Sequence, residues 1–541
     1  MRTPLHLTLA LLLAAGTVAA QSPSPGKLKV KMKPGRAEIS SVVAPVAPAA
    51  PTDWSLPYAA TITPDGLKAD LTVLASDAYE GRETGKKGQK MAADYIAKAF
   101  AAYGLTGPVQ KSDNAHLQHF DMNRGSLNAA ASTAKVGSKT YQGTKDFYAF
   151  STDDTFAAPT AVQPVFIGYA IKEDKYSDFA AAADYTGKDV VMLLGEPTNA
   201  KGQALLGADG KPSPYGGPGM AGLMARQSVI FPMKARSVTI ILPTAEAFAK
   251  VPAHFGDAIN QEQLTFVGGK KRPGFNIILV SPELGAKLLG TTPAGLSNYR
   301  KAVATAGKAV PSPFKPATAT VQLAVKNEVF TTENVLGYLE GSDKKDEVLV
   351  VSAHYDHLGM MGRRTYFPGA NDNASGVALL LELAAHYARP ENRPAFSVVF
   401  LLFGAEEAGL VGSRYFVAHP LVPLKSIKFM VNLDLLGTGE EGATIVNGRV
   451  FEAPYRRLLA LNNAHHYLPA LGARGRAANS DHFPFSEAGV PAFFMYTRGG
   501  SPAYHDVNDK PAALSLAGFA GAFGLVRDFL GELGAAPTAK K

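Results

Sequence analysis

Acidic and histidine side chains stand at or just beyond the ends of apolar runs in the C-terminal part of the chain. They are His354, Asp372, Glu406, Glu407, Asp434 and His505. A charged group that follows a buried strand is costly unless it is paired or coordinated. Two imidazoles and three carboxylates without a thiolate form a nitrogen and oxygen ligand set that suits divalent metals, zinc above all. The sequence therefore indicates metal chemistry.

The size of this set favours two ions over one. Five ligands exceed what one tetrahedral ion takes with a water left over, but they fit two ions if one carboxylate bridges. Such a pair shares a water and acidifies it. Glu406 adjoins a ligand and can act on that water as a general base. Taken singly, each residue also has an ordinary structural explanation, such as a surface hydrogen bond or a helix cap.

The elements that must position these residues follow from the hydrophobic pattern after about residue 334. Predicted strands are 335–339, 348–353, 396–403, 427–433, 443–446 and 491–496, and predicted helices are 375–388, 411–418, 454–466 and 513–533. Near-continuous Val, Ile, Leu and Phe runs indicate strands that helices cover on both faces. We predict an α/β fold, a three-layer sandwich around a central mixed, mostly parallel sheet. Sites in such sheets form beyond the carboxyl ends of strands.

The rest of the chain divides by composition. Residues 1–20 combine a short positive start, an apolar stretch and small residues before Ala20, which predicts a signal peptide cleaved near Ala20 and an exported protein, periplasmic or secreted. No later apolar run is long enough to span a membrane. The remaining predicted segments are a disordered linker at 21–52, an N-terminal helical part at 53–151, a β-rich insert at 152–325, the catalytic domain at 326–535 and a tail at 536–541.

Composition limits the classes of site and partner. The chain has 541 residues and no cysteine, which excludes disulfides, cysteine-ligated metals and thiol nucleophiles. The formal charge is +8, but eight cations lie in terminal segments, so the remainder is near neutral. They are Arg2, Lys27, Lys29, Lys31, Lys33, Arg36, Lys540 and Lys541. We therefore expect no nucleic-acid partner.

Several stretches around these residues resemble a known family, the co-catalytic dizinc aminopeptidases of peptidase family twenty-eight of the metallopeptidases. Glutamate carboxypeptidases and glutaminyl cyclases are in the same broad family. The matching stretches are SAHYDHLG, PGANDNASG, LLFGAEEAGLVGS, VNLDLLG, SDHFPFSEAGVPAFF and YHDVND, within residues 346–510. Residues 74–100 also resemble the lead-in of this family. The insert at 152–325 loosely resembles a protease-associated domain.

The resemblance implies roles for individual residues and two Zn²⁺ per chain. His354 and Asp434 are expected to bind one zinc, Glu407 and His505 the other, and Asp372 both. Glu406 is the expected base and proton shuttle. Asp356 is expected to orient His354 through the second ring nitrogen, and Tyr504 to donate a hydrogen bond to the developing oxyanion. The family also implies a cis peptide bond between Asp372 and Asn373.

An exported aminopeptidase acting on peptides is the predicted function, and three alternatives stay open. They are a carboxypeptidase or dipeptidase on the same fold, a glutaminyl cyclase and a non-catalytic binding protein. A carboxypeptidase needs cations to hold the substrate carboxylate, and the candidates are Arg363, Arg364, Arg474, Arg476 and Arg498. A degenerate binding protein should lack ligands, whereas this chain has all five and the base.

A few further polar residues near these motifs receive weaker assignments. We expect His357 to be a loop residue, with a group on the substrate side as the alternative. Asp481 and His482 belong to a stretch that lines the site, where they contact substrate or pack. Four histidines on predicted helices are expected to face solvent: His386, His419, His465 and His466.

Overall fold

The computed structural model describes residues 64–535, apart from short segments at 111–113, 152–154, 180–183, 218, 260–261, 268–275 and 363. The predicted signal peptide, linker and tail, and Arg363, lie outside the described residues. The chain forms two compact units. Asp121–Phe330 is the inserted unit, and the described residues before Asp121 and from Thr331 onward form the sandwich unit. No helix in the described ranges has the length and apolar character needed to cross a membrane.

The sandwich unit is built on a mixed sheet. Its strands are β1 Leu117–Leu127, β2 Val325–Leu339, β3 Lys344–His354, β4 Phe396–Phe403, β5 Ile427–Leu433, β6 Ala443–Val446, β7 Leu471–Ala473 and β8 Ala492–Thr497. The spatial order is β1-β2-β4-β3-β5-β8-β6-β7. The four central strands β4, β3, β5 and β8 are parallel neighbours, and β2 and β6 flank them in antiparallel pairing. These four parallel strands matter most for the site because their carboxyl ends lie at the same edge of the sheet.

Helices cover both faces of this sheet. They are α1 Pro64–Leu74, α2 Lys87–Ala102, α3 Ser375–Ala388, α4 Val411–Ala418, α5 Glu452–His465, α6 His482–Glu487 and α7 Phe519–Ala535. One face carries a core that joins α1, α2, α3, α5 and α7 to side chains such as Leu349 and Phe400. The other face joins α4 and α6 to alternating side chains such as Val350 and Leu401. The predicted three-layer α/β sandwich is confirmed.

The sequence pattern located the central elements closely but misplaced one histidine. The bounds of β4, β5, β6, α3 and α4 match the predicted ones. His419, His465 and His466 are exposed as expected. His386 is buried, and its ring packs against Phe523 of α7. The expectation for His386 was wrong because α7 covers the side of α3 that sequence spacing alone suggests is open.

The inserted unit contains two sheets. A five-stranded sheet has the order Phe147–Ser151, Asn276–Val280, Ser237–Ile241, Asp189–Leu193 and Pro164–Phe166, and a four-stranded sheet has the order Lys139–Gln142, Thr133–Val136, Ala319–Gln322 and Thr160–Val162. Gln263–Phe266 pairs with residues 122–125, the part of β1 that belongs to this unit. Helices Val251–Ile259, Pro282–Leu288 and Pro293–Ala306 are also present. The unit is therefore mixed α/β, and it includes residues 121–151, which the composition places before the insert.

Candidate metal centre

The carboxyl ends of the parallel strands place the predicted site residues at one edge of the sheet. His354 is the last residue of β3, and Asp434 follows β5 directly. Glu407 lies in the turn between β4 and α4, and β3 and β4 are in register so that His354 pairs with Phe403. Parallel pairing therefore brings these chain segments to the same edge, as expected for this type of sheet.

Two groups of side chains meet at this edge and share Asp372. In the first group, His354 Nε2 lies 3.3 Å from Asp372 Oδ1 and 3.4 Å from Asp434 Oδ1. In the second, His505 Nε2 lies 3.0 Å from Asp372 Oδ2 and 3.3 Å from Glu407 Oε1. Each oxygen of Asp372 faces a different group. The structure thus brings together all five residues predicted as ligands.

The donor atoms of both groups fit divalent metal ions. Two ligands on a tetrahedral ion with bonds of about 2.0–2.2 Å lie about 3.3–3.6 Å apart. The separations of 3.0–3.4 Å in the two groups are close to this spacing. Asp434 Oδ1 and His505 Nε2, one from each group, are buried and make no hydrogen bond to any described residue. Buried polar atoms are rarely left unpaired, so these two atoms are suited to an added ligand partner.

The loop that carries Asp372 is fixed by backbone hydrogen bonds to a second aspartate. Asp509 is buried, and its carboxylate accepts from the backbone N–H of Asn371 at 2.9 Å and of Asp372 at 3.0 Å. The Asn373 amide donates to the Leu433 carbonyl at 3.0 Å. The peptide bond between Asp372 and Asn373 is cis. Sequence reasoning missed Asp509, although it is the last residue of the YHDVND stretch.

Asp356 contacts different atoms from those that we predicted. His354 Nδ1 lies 3.2 Å from the backbone carbonyl of Asp356 and 3.9 Å from its carboxylate. The carboxylate instead accepts from Thr84 Oγ1 at 2.8 Å and from the backbone N–H of Glu406 at 3.1 Å. The Asp356 backbone therefore faces the ring nitrogen of His354, and its side chain holds the turn that carries Glu406.

A series of hydrogen-bonded polar side chains holds Asp434 in place. Ser480 Oγ donates to Asp434 Oδ2 at 2.9 Å, and Asn432 Nδ2 donates to Ser480 Oγ at 2.8 Å. Ser352 Oγ in turn donates to Asn432 Oδ1 at 2.6 Å. All four side chains are buried. This series of hydrogen bonds fixes one oxygen of Asp434 and leaves the other, Oδ1, directed at His354.

Arg82 joins the segments that carry the site. It is fully buried, with Nε donating to the Tyr355 carbonyl at 2.9 Å and the two Nη atoms donating to Pro368 and Gly369 at 2.9 Å each. Burial lowers the pKa of Arg82 to about 10, so the side chain stays cationic at neutral pH. The stretch 74–100 pointed to this region, but sequence reasoning assigned no function to this arginine.

The adjacent Glu406 and Glu407 have pKa values that move in opposite directions. Burial, with repulsion from nearby carboxylates, raises the pKa of Glu406 well above its ordinary value despite the attraction of His354. Burial also acts to raise the pKa of Glu407, but the charge of His505 and the hydrogen bond from His357 lower it to about 2. Such a difference in pKa is typical of a pair in which one carboxyl transfers a proton and the other stays ionised.

Tyr504, the predicted oxyanion donor, lies over the second group of donors. Its ring stacks on the His505 ring with centroids 4.0 Å apart, and the side chain is half-exposed. Burial, followed by repulsion from Asp372 and Glu407, raises the pKa of Tyr504 above its ordinary value. The phenol therefore keeps its proton at neutral pH and remains a hydrogen-bond donor.

Asp481 and His482 are fully buried next to this centre. Burial raises the pKa of Asp481 to about 7 and lowers that of His482 to about 4. The His482 ring packs against Phe494 with centroids 5.5 Å apart. Asp481 adds to the negative charge around Glu406. His357, expected to be a loop residue, donates to Glu407 at 2.8 Å and lies in the second donor group.

Part of the chain matches known proteins. Residues 334–530 match the model of peptidase family M28. Aminopeptidase YwaD of Bacillus subtilis is 32% identical over 190 residues, which are 33% of this chain and 40% of that protein. Leupeptin-inactivating enzyme 1 of Streptomyces exfoliatus is 31% identical over 177 residues, 31% of this chain and 38% of that protein. The matches thus span less than half the length of these relatives.

Solved structures are also similar along most of the chain. An aminopeptidase from Aneurinibacillus sp. strain AM-1 has a TM-score of 0.47 and 22% identity, over 86% of this chain and 92% of its own. BSAP, a zinc aminopeptidase from Bacillus subtilis, has a TM-score of 0.46 and 21% identity, over 88% and 96% of the two chains.

Proposed function

We propose that the protein is a zinc-dependent aminopeptidase with two metal ions, on the premise that residues 334–530 match the model of peptidase family M28. The proposed reaction is hydrolysis of the first peptide bond of a peptide. The observation that supports it most is the sharing of Asp372 between two donor groups, with Glu406 beside them. The curated relatives with names that refer to aminopeptidases and zinc proteases support the same reaction class.

Different residues of the chain carry out different steps of the proposed reaction. A bound zinc pair supplies an acidified water and polarises the scissile carbonyl. Glu406, with its raised pKa, accepts the proton of that water and delivers it to the leaving amine. Tyr504 donates its phenol proton in a hydrogen bond to the developing oxyanion. Asp356 and Asp509 hold the turns from which Glu406 and Asp372 project.

The contacts of the arginines bear on the choice between an aminopeptidase and a carboxypeptidase. A carboxypeptidase needs a cation that can hold the carboxylate of the substrate. Among the cations that a carboxypeptidase would need, Arg476 pairs with Glu487 and Arg498 donates to the Glu441 carbonyl. These contacts favour the aminopeptidase over the carboxypeptidase alternative.

Metal analysis tests the centre itself. We expect purified protein to hold two zinc ions per chain, and a strong chelator to abolish hydrolysis until zinc is restored. One ion per chain would favour the glutaminyl cyclase alternative. Full hydrolysis by metal-free protein would refute the metal mechanism.

Substrate analysis tests the reaction. An aminoacyl anilide with a free amino group should be hydrolysed, and the same anilide with an acetylated amino group should not. Cleavage of N-acetylated peptides from their carboxyl end would instead establish a carboxypeptidase.

We also propose that the protein is exported after cleavage near Ala20, and that the inserted unit contains a protease-associated-like module. The composition of residues 1–20 supports the first proposal. Sequencing the amino end of the protein recovered from its native source tests the cleavage site. An amino end that still carries residues 1–20 would contradict export by this route.

A further inference from the structure

His357 lies in a tightly enclosed position behind the second donor group. Its ring is buried, and it packs edge-on against Phe367 and His505, with centroids 6.5 Å and 5.6 Å apart. The backbone N–H donates to the Arg82 carbonyl at 3.1 Å. A Cβ on Gly369 would lie 2.5 Å from His357 Cδ2, so the ring occupies the space that a side chain at position 369 would need. The surrounding chain therefore holds the imidazole in one orientation.

Two distances from Glu407 distinguish His505, a neighbouring metal ligand, from His357, a hydrogen-bond donor. Glu407 Oε1 lies 3.3 Å from His505 Nε2, as expected for two ligands of one ion. The same oxygen lies 2.8 Å from His357 Nδ1, which is an ordinary length for an N–H···O hydrogen bond. Because an ionised carboxylate can only accept, Nδ1 carries the proton. His357 Nε2 is buried and makes no hydrogen bond to the described part of the chain.

This contact has the geometry of a support for a metal ligand. Carboxylates that bind metals are usually hydrogen-bonded by a second layer of residues, and loss of such a partner lowers metal affinity about 10–100-fold. Glu407 belongs to the group with Asp372 and His505, which also contains His357. Within the described part of the chain, His357 forms no hydrogen bond to His354 or Asp434. The effect of His357 should therefore fall on one ion of the pair.

We propose that His357 is a positioning residue that fixes the Glu407 carboxylate through Nδ1–H and thereby controls retention of the ion held by Glu407, His505 and Asp372. The ion held by His354, Asp434 and Asp372 does not depend on it. This inference rests on the proposed two-metal centre.

The test compares zinc binding by the full chain and four variants at buffered free zinc. His357→Phe keeps a ring but removes the donor, and it should lose about 10–100-fold in affinity for one ion while it keeps the other. His357→Asn places an amide donor near the Nδ1 position and should restore two-ion binding, whereas His357→Gln places it near Nε2 and should not. His386→Phe, at another buried histidine in α3, is the control and should bind two ions.

The outcomes separate this inference from the proposed function. If the unaltered protein binds no zinc, the metal centre itself is wrong. If it binds two ions and His357→Phe also binds two with unchanged affinity, only the inference fails. If His357→Phe does not fold, as judged by thermal melting, the comparison of His357→Asn with His357→Gln decides. Equal zinc affinity in those two variants would overturn the proposed function of Nδ1.

Discussion

Both units contain parallel strands that are buried along their whole length, yet the buried carboxylates beside these strands differ in their hydrogen-bond partners. In the inserted unit, Asp189 begins a buried strand and is paired by Arg236 and by Ser237 Oγ at 2.8 Å. In the sandwich unit, Asp434 follows a buried strand, and one of its oxygens has no hydrogen-bond partner among the described residues. Buried carboxylates satisfied by protein atoms stabilise a fold, whereas unsatisfied ones are available to a ligand.

The two fully buried arginines show the same contrast. Arg226 of the inserted unit donates to backbone carbonyls such as that of Tyr169 at 2.7 Å. Arg82 of the sandwich unit also donates to backbone carbonyls, but its targets are segments that carry donor groups. The same interaction therefore serves packing in one unit and the placement of functional residues in the other.

The largest expected effect is a loss of catalysis, and only a substitution in the sandwich unit should cause it. Glu406→Gln should lower turnover by about 10²–10⁴-fold, the usual contribution of a general base. Zinc content should stay at the unaltered level because Glu406 is outside both donor groups. Turnover is measured on an aminoacyl anilide, with Glu196→Gln in the inserted unit as the matched control. Near-normal turnover of Glu406→Gln would remove Glu406 from the mechanism.

Replacing the two buried arginines sharpens the comparison. Arg82→Met and Arg226→Met should each lower the free energy of unfolding by about 3–5 kcal/mol, because each leaves several buried carbonyls without a donor. Only Arg82→Met should also lower zinc content, since only Arg82 fixes the loop before Asp372. Calorimetry and metal analysis provide the two measurements. Equal zinc loss in both variants would show that general destabilisation, not positioning, releases the metal.

Replacing the two buried aspartates should give stability changes of different size. Asp189→Asn should destabilise the inserted unit by about 1–3 kcal/mol, because it weakens the contacts with Arg236 and Ser237. In metal-free protein, Asp434→Asn should change the melting temperature little, because the repulsion from Glu406 that it removes is offset by the lost attraction to His354. Zinc binding should fall only in Asp434→Asn. A large loss of melting temperature in metal-free Asp434→Asn would contradict this distinction.

The smallest expected effect is a pH dependence in the inserted unit. Burial raises the pKa of Asp178 to about 6, and its carboxylate accepts from the backbone N–H groups of Tyr169 and Ile171. The folded state therefore holds the proton more tightly than the unfolded state, and stability is lost as pH rises from about 4 to about 6.

Asp178→Asn should remove this slope, which we expect to be on the order of 1 kcal/mol because part of the charge is screened by hydrogen bonds and solvent. Melting temperatures of both proteins between pH 4 and pH 7 measure the difference. Parallel curves for the two proteins would show that Asp178 titrates normally.

The sequence by itself determined the central sheet and the five donor residues. Runs such as Phe396–Phe403 and Ile427–Leu433 are continuously apolar, and such runs define both the element and its burial. The start of the inserted unit was less evident because residues 121–151 form short strands with many polar positions, which lack a clear period.

Only the tertiary structure decided how the donors are held. Arg82 meets Gly369 across 287 positions of sequence, and Asp509 meets Asp372 across 137. His357 contacts Glu407 across 50 positions. Local patterns report burial and period, but they contain no information about which distant segment will supply a hydrogen-bond partner. Supporting contacts of this kind follow from chain topology, so they become visible only after the strands are assembled.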